Sequence, residues 1–199
     1  MSKDVRKKII EAASEVFSVY GYEKTTVEDI AKLADKAKTT VYYYFEGKAE
    51  IFAAALEDEL SAMSEALSDY RRTEPDRIVQ NFREYLKKRI EVILDSRLYK
   101  KFLPEMLKRD NKSELNSIFI KARSAFDTSE RAFFKAICSY AKAAGALDSK
   151  VKPEIFAEML GMVLNGAEVQ ILLSDDKAAS MATYEEMVNF ITNTKNYNL

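Results

Sequence analysis

Turn-forming residues are scarce in this chain. Glycine and proline supply only five and three of its 199 residues. A β-rich fold would need more of both for its tight turns, so their shortage favours long helices. Apolar residues also recur three or four positions apart through most of the chain, which is the spacing of one helix face. We therefore predict an all-α fold.

The composition excludes the commonest kinds of catalytic and metal site. The chain has no histidine and a single cysteine, Cys138. It therefore lacks Ser-His-Asp and Cys-His nucleophiles, the usual zinc sites and an internal disulfide. We predict no catalytic residue, no metal and no cofactor, although carboxylates and lysines leave an enzyme in a helical scaffold as an alternative.

The sequence predicts a cytoplasmic protein with no membrane segment. Its N-terminus has no apolar run of the kind found in secretion signals, and no stretch of 18 apolar residues occurs. The net charge is −1, and residues 1–50 carry nine basic and nine acidic side chains. Because phosphate contact depends on local placement, this balance neither favours nor opposes a nucleic-acid partner.

The first 47 residues predict three helices. The first runs from about Lys3 to Tyr20 and ends at Gly21. A second, short helix starts at Thr25 or Thr26, since both are good N-cap residues and an acidic residue follows each of them three positions later.

A tight turn and a third helix come next. Asp35 tolerates the left-handed backbone that a tight turn between helices needs, and the third helix is predicted over Lys38–Tyr44. Two short helices joined in this way, after a longer one, are typical of a helix-turn-helix unit.

The third helix has the composition of a helix that lies in the major groove of DNA. Lys38 can reach a phosphate or a guanine, and Thr39 and Thr40 can bond phosphates or touch a thymine methyl group. Tyrosine hydroxyls can bond phosphate oxygens, which we expect of Tyr42 and Tyr43. The alternative is that the side chains of this helix are ordinary core residues. We favour that interpretation for Val41, Tyr44 and Phe45.

These positions together resemble the N-terminal domain of the TetR family. The resemblance covers about residues 5–55, and many positions agree at fixed spacing. It is carried by Ile9, Ala12-Ala13, Val16-Phe17, Gly21-Tyr22, Thr25-Thr26-Val27, Ile30-Ala31, Ala34, Thr40-Val41-Tyr42-Tyr43-Tyr44-Phe45, Lys48 and Ile51-Phe52.

The resemblance implies a function. TetR-like proteins are all-helical homodimers that bind palindromic operators in double-stranded DNA, and a small-molecule effector usually releases the operator. By resemblance, Thr26, Thr40, Tyr42 and Lys48 contact the DNA backbone. Lys38, Thr39 and Tyr43 reach bases. The domains implied are a helix-turn-helix domain over 1–47 and a helical effector-binding and dimerisation domain over 48–199, joined by a long helix from Lys48.

The turn departs from the family pattern. TetR-like proteins usually have Ala-Gly-apolar-Ser there, whereas this chain has Ala34, Asp35, Lys36 and Ala37. Asp35 costs some backbone strain, and Ala37 lacks a hydroxyl that caps a helix. Lys36 adds a cation beside the groove. These changes support one alternative, a helical protein-interaction module whose DNA-binding domain has degenerated.

The C-terminal part predicts a dimer interface. The helix from Pro153 to about Leu173 is apolar nearly all round, so it must be covered on more than one side. With a last helix, predicted to start at Thr183, it could form a four-helix bundle with its copy. The interface is predicted at Phe156, Leu160, Val163, Ala167, Ile171, Tyr184, Met187, Val188 and Ile191. Burial within one chain is the alternative.

The effector pocket is predicted from apolar and amphipathic residues on the helices that enclose it in this family, though such residues are more often plain core. They are Phe82, Tyr85, Phe102, Met106, Phe126, Met162 and Asn165. Asn165 and Glu168 are polar positions within an apolar helix, and a buried polar group needs a partner. That partner is either a ligand or a surface or interface group.

Overall fold

The computed structural model describes residues 2–72, 77–108 and 114–193, without the side chains of Ser2, Leu107 and Lys108. Within these ranges the chain is helical and has no strand, which confirms the all-α prediction. The segment Thr73-Glu74-Pro75, where the proline predicts a break between helices, lies outside the described residues. The α-helices are α1 (Ser2–Lys24), α2 (Val27–Leu33), α3 (Lys38–Tyr44), α4 (Lys48–Ala66), α5 (Ile78–Asp95), α6 (Leu98–Lys108), α7 (Glu114–Ala143), α8 (Pro153–Leu173) and α9 (Lys177–Thr192), and a 3-10 turn spans Ser68–Arg71.

The chain divides into two compact units. The first unit comprises Met1–Ala62 with Ser96–Ser124, and the second comprises Met63–Asp95 with Ala125–Leu199. The first unit thus contains the three predicted helices of the helix-turn-helix together with α6. The functional boundary after residue 47 stays a prediction.

Three aromatic rings join the helices of the first unit. Phe17 of α1 meets Phe52 of α4 edge to face at 5.1 Å between ring centroids, and Phe52 meets Phe102 of α6 at 4.7 Å. Each ring is almost completely buried, and such edge-to-face pairs add to the hydrophobic stabilisation. Gly21 interrupts α1 with φ 79°, a left-handed conformation that favours glycine, so the end predicted for the first helix lies at this kink.

Two charged side chains fix α6 within the first unit. The Glu59 carboxylate of α4 accepts hydrogen bonds from the backbone N–H groups of Arg97, at 2.6 Å, and Tyr99, at 2.7 Å. The Lys101 ammonium donates to the carbonyl oxygen of Ser18 in α1 at 2.6 Å. Burial raises the pKa of Glu59, against the opposing effect of these backbone hydrogen bonds.

The second unit buries one face of α8 against the other helices. That face consists of Ala157, Leu160, Leu164, Glu168 and Ile171. From α9, Tyr184 and Val188 point inward, and the Tyr184 hydroxyl donates to the carbonyl oxygen of Leu86 at 2.7 Å. The start predicted for the last helix at Thr183 is wrong. The helix begins at Lys177 because Asp176 caps it, accepting a hydrogen bond from Ala179 N–H at 3.0 Å.

Candidate nucleic-acid interface and ligand-binding region

A complete capping box starts α2. The N-cap Thr26 accepts a hydrogen bond from Asp29 N–H at 3.2 Å, and the Asp29 carboxylate accepts from the Thr26 N–H at 2.9 Å and its hydroxyl at 2.6 Å. These bonds from Thr26 lower the pKa of Asp29. Thr25 is buried instead and donates to the carbonyl oxygen of Gly21 at 2.7 Å. The box therefore fixes the start of α2 and occupies both polar groups of Thr26.

The altered turn still forms. Asp35 adopts φ 53°, the left-handed conformation expected of it, and the next N–H, from Lys36, reaches the carbonyl oxygen of Ala31 at 2.9 Å. The Lys36 ammonium lies on the carbonyl oxygen of Asp35 at 2.7 Å. Ala37 is the N-cap of α3 and makes no side-chain hydrogen bond there. The turn therefore aligns α3 without the usual glycine and capping hydroxyl.

The helix α3 has a buried side and an exposed side. Val41 and Phe45 are buried, as predicted for core residues, and Tyr44 is half-buried. Tyr42 is 48% exposed and Tyr43 is 82% exposed. Thr39 is also exposed and Thr40 is half-buried. The predicted DNA-contacting residues of this helix thus lie on or beside the side that is free of core packing.

Lys38 of α3 and Lys48 of α4, which are both predicted to contact DNA, already have partners within the chain. The Lys38 ammonium pairs with Glu28 of α2 and lies 5.8 Å from the centroid of the Tyr42 ring. The hydrogen bond with Lys38 lowers the pKa of Glu28 and raises that of Lys38. The Lys48 ammonium donates to the carbonyl oxygen of Tyr22 at 2.8 Å and lies 4.5 Å from the centroid of that ring. A phosphate that binds either lysine must therefore displace or share these partners.

A buried ionic network occupies the second unit. Arg89 is fully buried, and its Nε and Nη2 atoms lie 2.7 and 3.3 Å from the two carboxylate oxygens of Glu130. Its Nη1 lies 2.9 Å from Glu168, and Nη2 also donates to Asn165 at 3.1 Å. The Tyr85 hydroxyl donates to Glu130. The partner that the sequence requires for Asn165 and Glu168 is therefore Arg89.

The sequence prediction missed Arg89 and Glu130. One clue is available for Arg89, since it lies four positions after Tyr85 and therefore on the inward side of α5. The pairing itself could not be predicted, because Glu130 is 41 positions away in the sequence.

The predicted effector residues do not come together in one pocket. Phe82 lines an apolar cavity of about 290 Å³, beside Phe156 and Ile191, which were assigned to the dimer interface. Met162 and Asn165 line a second cavity of about 320 Å³. The remaining four residues line neither of these two cavities.

Two of the four remaining residues lie in the first unit, and the other two lie beside Arg71 in the second unit. Phe102 and Met106 are buried within the first unit, and their assignment to the effector pocket stays a prediction. Tyr85 and Phe126 are buried in the second unit, with their ring centroids 5.6 and 5.9 Å from the guanidinium carbon of Arg71.

The predicted dimer interface needs correction on α8 and α9. Four of its residues, Leu160, Ile171, Tyr184 and Val188, are buried within their own chain, so they are unavailable to a partner. Val163 is exposed, while Phe156, Ala167, Met187 and Ile191 are half-buried. The exposed apolar side chains that the prediction left out are Ile155, Met159, Met162, Leu173 and Phe190.

Apolar residues therefore lie on both the buried and the exposed side of α8. By length and composition alone it could cross a membrane, and 28% of the stretch in question is buried. It carries Glu168 in the buried ion pair with Arg89, which ties one side of α8 to α5. Its other side presents Met159, Met162 and Val163 without a cover from the described residues of its own chain.

The N-terminal segment matches a known family. The family described as "Bacterial regulatory proteins, tetR family" matches residues 9–55. The transcriptional regulator YhgD of Bacillus subtilis is 46% identical over 52 residues, 26% of this chain and 27% of that protein. RutR of Escherichia coli is 33% identical over 90 residues, 45% of this chain and 42% of RutR. The chain thus aligns with less than half the length of these relatives.

Solved structures match over nearly the whole chain. FadR from Bacillus subtilis, in complex with stearoyl-CoA, has a TM-score of 0.72 at 17% identity, over 94% of this chain and 98% of FadR. SmeT, the repressor of a multidrug efflux pump of Stenotrophomonas maltophilia, has a TM-score of 0.64 at 24% identity, over 92% and 87% of the chains. Residues 9–55 belong to the TetR family, and the whole chain has the all-helical fold of TetR-family regulators, a class that is not enzymatic.

Proposed function

We propose that the chain is a cytoplasmic transcriptional repressor that binds a palindromic operator as a homodimer and responds to a small-molecule effector. The observation that carries the DNA-binding part is the exposed side of α3. A ring as large as that of Tyr43 is 82% exposed although Val41 and Phe45 of the same helix are buried. In a helix-turn-helix unit this side of the second helix enters the major groove.

The structure of the turn supports this proposal over the alternative of a degenerate DNA-binding domain. Asp35 and Ala37 were the basis of that alternative, yet α2 keeps its capping box and α3 begins at Lys38 as the sequence predicts. The residues proposed for DNA contact are Thr26, Lys36, Lys38, Thr39, Thr40, Tyr42, Tyr43 and Lys48.

A fluorescence-anisotropy titration tests DNA binding. The probe is a duplex from the upstream region of the gene, a scrambled duplex is the reference, and each is measured at two salt concentrations. We expect saturable binding of the operator duplex by two protomers, weakened by salt because phosphate contacts release counterions. Equal affinity for every upstream duplex and for the scrambled duplex would contradict the proposal.

Two exposed tyrosines of the first unit provide a matched pair of variants. Tyr43→Ala removes a proposed base contact and should weaken operator binding about tenfold, equivalent to one hydrogen bond. Tyr20 is 62% exposed on α1. Tyr20→Ala should bind as the wild type does, since this residue is outside the proposed interface. Equal losses in the two variants would contradict a specific role for α3.

For the dimer we propose a corrected interface on the outer side of α8 with α9. Met159, Met162 and Val163 are exposed at helical spacing, and Phe190 of α9 is 65% exposed. An apolar surface of this kind on two neighbouring helices fits a four-helix bundle between copies. Because a two-fold dimer reads two half-sites, dimerisation also accounts for a palindromic operator.

Oligomeric state tests this interface. Sedimentation should find a dimer for the wild type and a monomer for Met162→Glu, which places a charge in the proposed interface. Ile120 of α7 is equally exposed, at 69% against 68% for Met162. Ile120→Glu is therefore the control and should remain dimeric, while a dimeric Met162→Glu would contradict the assignment.

The effector response is proposed for the second unit. Its apolar cavity beside Phe82, about 290 Å³, is of a size that suits a small apolar ligand or part of a larger one. FadR, which has the same fold, holds stearoyl-CoA. That ligand gives a first set of candidates, acyl compounds, to be screened for release of the operator in the anisotropy assay. A response that persists in Phe82→Ala at unchanged ligand affinity would contradict the cavity as the site.

A further inference from the structure

Arg71 lies at the end of the 3-10 turn with its side chain held among helices of the second unit. Its Nη1 donates to the hydroxyl of Ser129 at 2.8 Å and to that of Ser64 at 3.2 Å. The rings of Tyr85 and Phe126 lie 5.6 and 5.9 Å from the guanidinium carbon, close enough for cation–π attraction. The guanidinium thus has contacts with three helices, α4, α5 and α7.

The other two nitrogen atoms of this guanidinium have no acceptor among the described residues. Nε and Nη2 of Arg71 are buried and make no hydrogen bond, and no carboxylate of the described residues forms an ion pair with Arg71. A buried donor without a partner destabilises the fold, and more so when it is charged. Such a group therefore indicates a partner that the described residues do not supply.

The fully buried Arg89 identifies the chemistry of that partner. Arg89 uses the same two atoms, Nε and Nη2, to bind both carboxylate oxygens of Glu130. These two N–H groups point the same way and match the two oxygens of a planar carboxylate. In Arg71 the same pair is unoccupied by any described residue.

Glu130 cannot serve both arginines. Its carboxylate already accepts from Arg89 and from the Tyr85 hydroxyl. The network of Arg89, Glu130 and Glu168 has one positive and two negative side chains. None of its oxygen atoms accepts a hydrogen bond from Nε or Nη2 of Arg71.

We propose that Arg71 binds the carboxylate of a small organic acid, with the apolar part of the acid against Phe126 and Tyr85. This inference rests on the proposed effector response and names the chemical class of the effector. Arg71 is half-buried as a residue, so it borders solvent. Phe82, which lines the apolar cavity, lies one turn before Tyr85 on α5, so the apolar chain of a longer acid would extend toward that cavity.

Calorimetric titration of the full chain without DNA tests this proposal. The probes are octanoate and 4-phenylbutyrate, each compared with its primary amide, which has the same size and no charge. We expect both acids to bind the wild type at least about tenfold more tightly than their amides, as expected for charge-assisted hydrogen bonds. Acids that bind no more tightly than their amides would overturn the proposal.

Variants at two adjacent arginines locate the site. Arg71→Gln removes the cation, and Arg71→Lys keeps the charge but loses the paired N–H groups. Both should lower the affinity for the acids about tenfold or more and leave that for the amides unchanged. Arg72 is exposed and pairs with Asp69, so Arg72→Gln is the control and should bind as the wild type does. Undiminished acid binding by Arg71→Gln would overturn the proposal.

Stability without ligand gives a second, independent readout. Arg71→Gln should unfold at nearly the same temperature as the wild type, because removing a buried cation with two unpaired donors offsets the loss of its hydrogen bonds to Ser64 and Ser129. A large decrease would show that the chain itself satisfies this guanidinium, and would overturn the proposal. Because all these measurements are made without DNA, a failure of operator binding and a failure of acid binding are distinguishable.

Discussion

The buried arginine of the second unit gives a prediction whose magnitude follows from its contacts. Arg89→Met keeps much of the apolar stem and removes the cation that Glu130 and Glu168 share. Both carboxylates are almost fully buried. Removing one partner of a buried ion pair costs about 3–5 kcal/mol because it leaves an uncompensated charge in a medium of low polarity. We expect a loss in this range for the free energy of unfolding.

Urea denaturation followed by circular dichroism measures this loss at pH 7. Arg83 is exposed on the same helix, so Arg83→Met is the control and should lose less than about 1 kcal/mol. The triple variant with Glu130→Gln and Glu168→Gln should recover part of the stability lost by Arg89→Met, because it removes the buried charges. If Arg89→Met loses no more than Arg83→Met, the network does not carry the charge compensation argued above.

Three further predictions concern helix ends in the first unit. Ala37→Ser supplies the missing N-cap hydroxyl of α3 and should raise the free energy of unfolding by about 1 kcal/mol in urea denaturation, while an unchanged midpoint would contradict the capping argument. Glu59→Ala removes the acceptor for the first N–H groups of α6 and should lower it by about 1–2 kcal/mol in the same assay, against Glu57→Ala as an exposed control. The pKa of Asp29 is lowered by Thr26, so its capping contribution is present above the ordinary value of 3.8 and disappears as the pH falls through the lower pKa of the folded state. The melting temperatures of the wild type and Asp29→Asn should therefore converge on acidification from pH 6 to pH 3, and a constant difference would show that the carboxylate is not the source.

The helix-turn-helix could be predicted in detail because its elements are set by neighbouring residues. Thr26 and Asp29 form the capping box within one turn, and Asp35 takes the left-handed conformation that its own backbone permits. The bounds of α3 follow from the same local rules. The contacts of these residues with DNA stay predictions, since they depend on a partner outside the chain.

The buried and exposed sides of the helices in the second unit could not be predicted, because contacts between residues far apart in the sequence determine them. The apolar residues of α8 lie almost all round the helix, so periodicity alone could not separate the buried side with Leu160 from the exposed side with Met162. The predicted pocket residues fall into different parts of the structure for a related reason. An aromatic residue at an inward position, such as Phe102, packs the core of whichever unit its helix joins.

The ion pair between Lys38 and Glu28 has a consequence for how the protein would find its operator among many other sequences. Random DNA attracts proteins mainly through free cations that replace condensed counterions. On the surface proposed to meet DNA, Lys38 is already neutralised by Glu28 and Lys48 is held on a carbonyl oxygen. We expect the attraction to random sequence to be weaker than two free lysines would give, since a phosphate must displace or share these partners. The occupancy of the operator would then depend little on the bulk chromosome as a competitor, even at a low copy number of the protein.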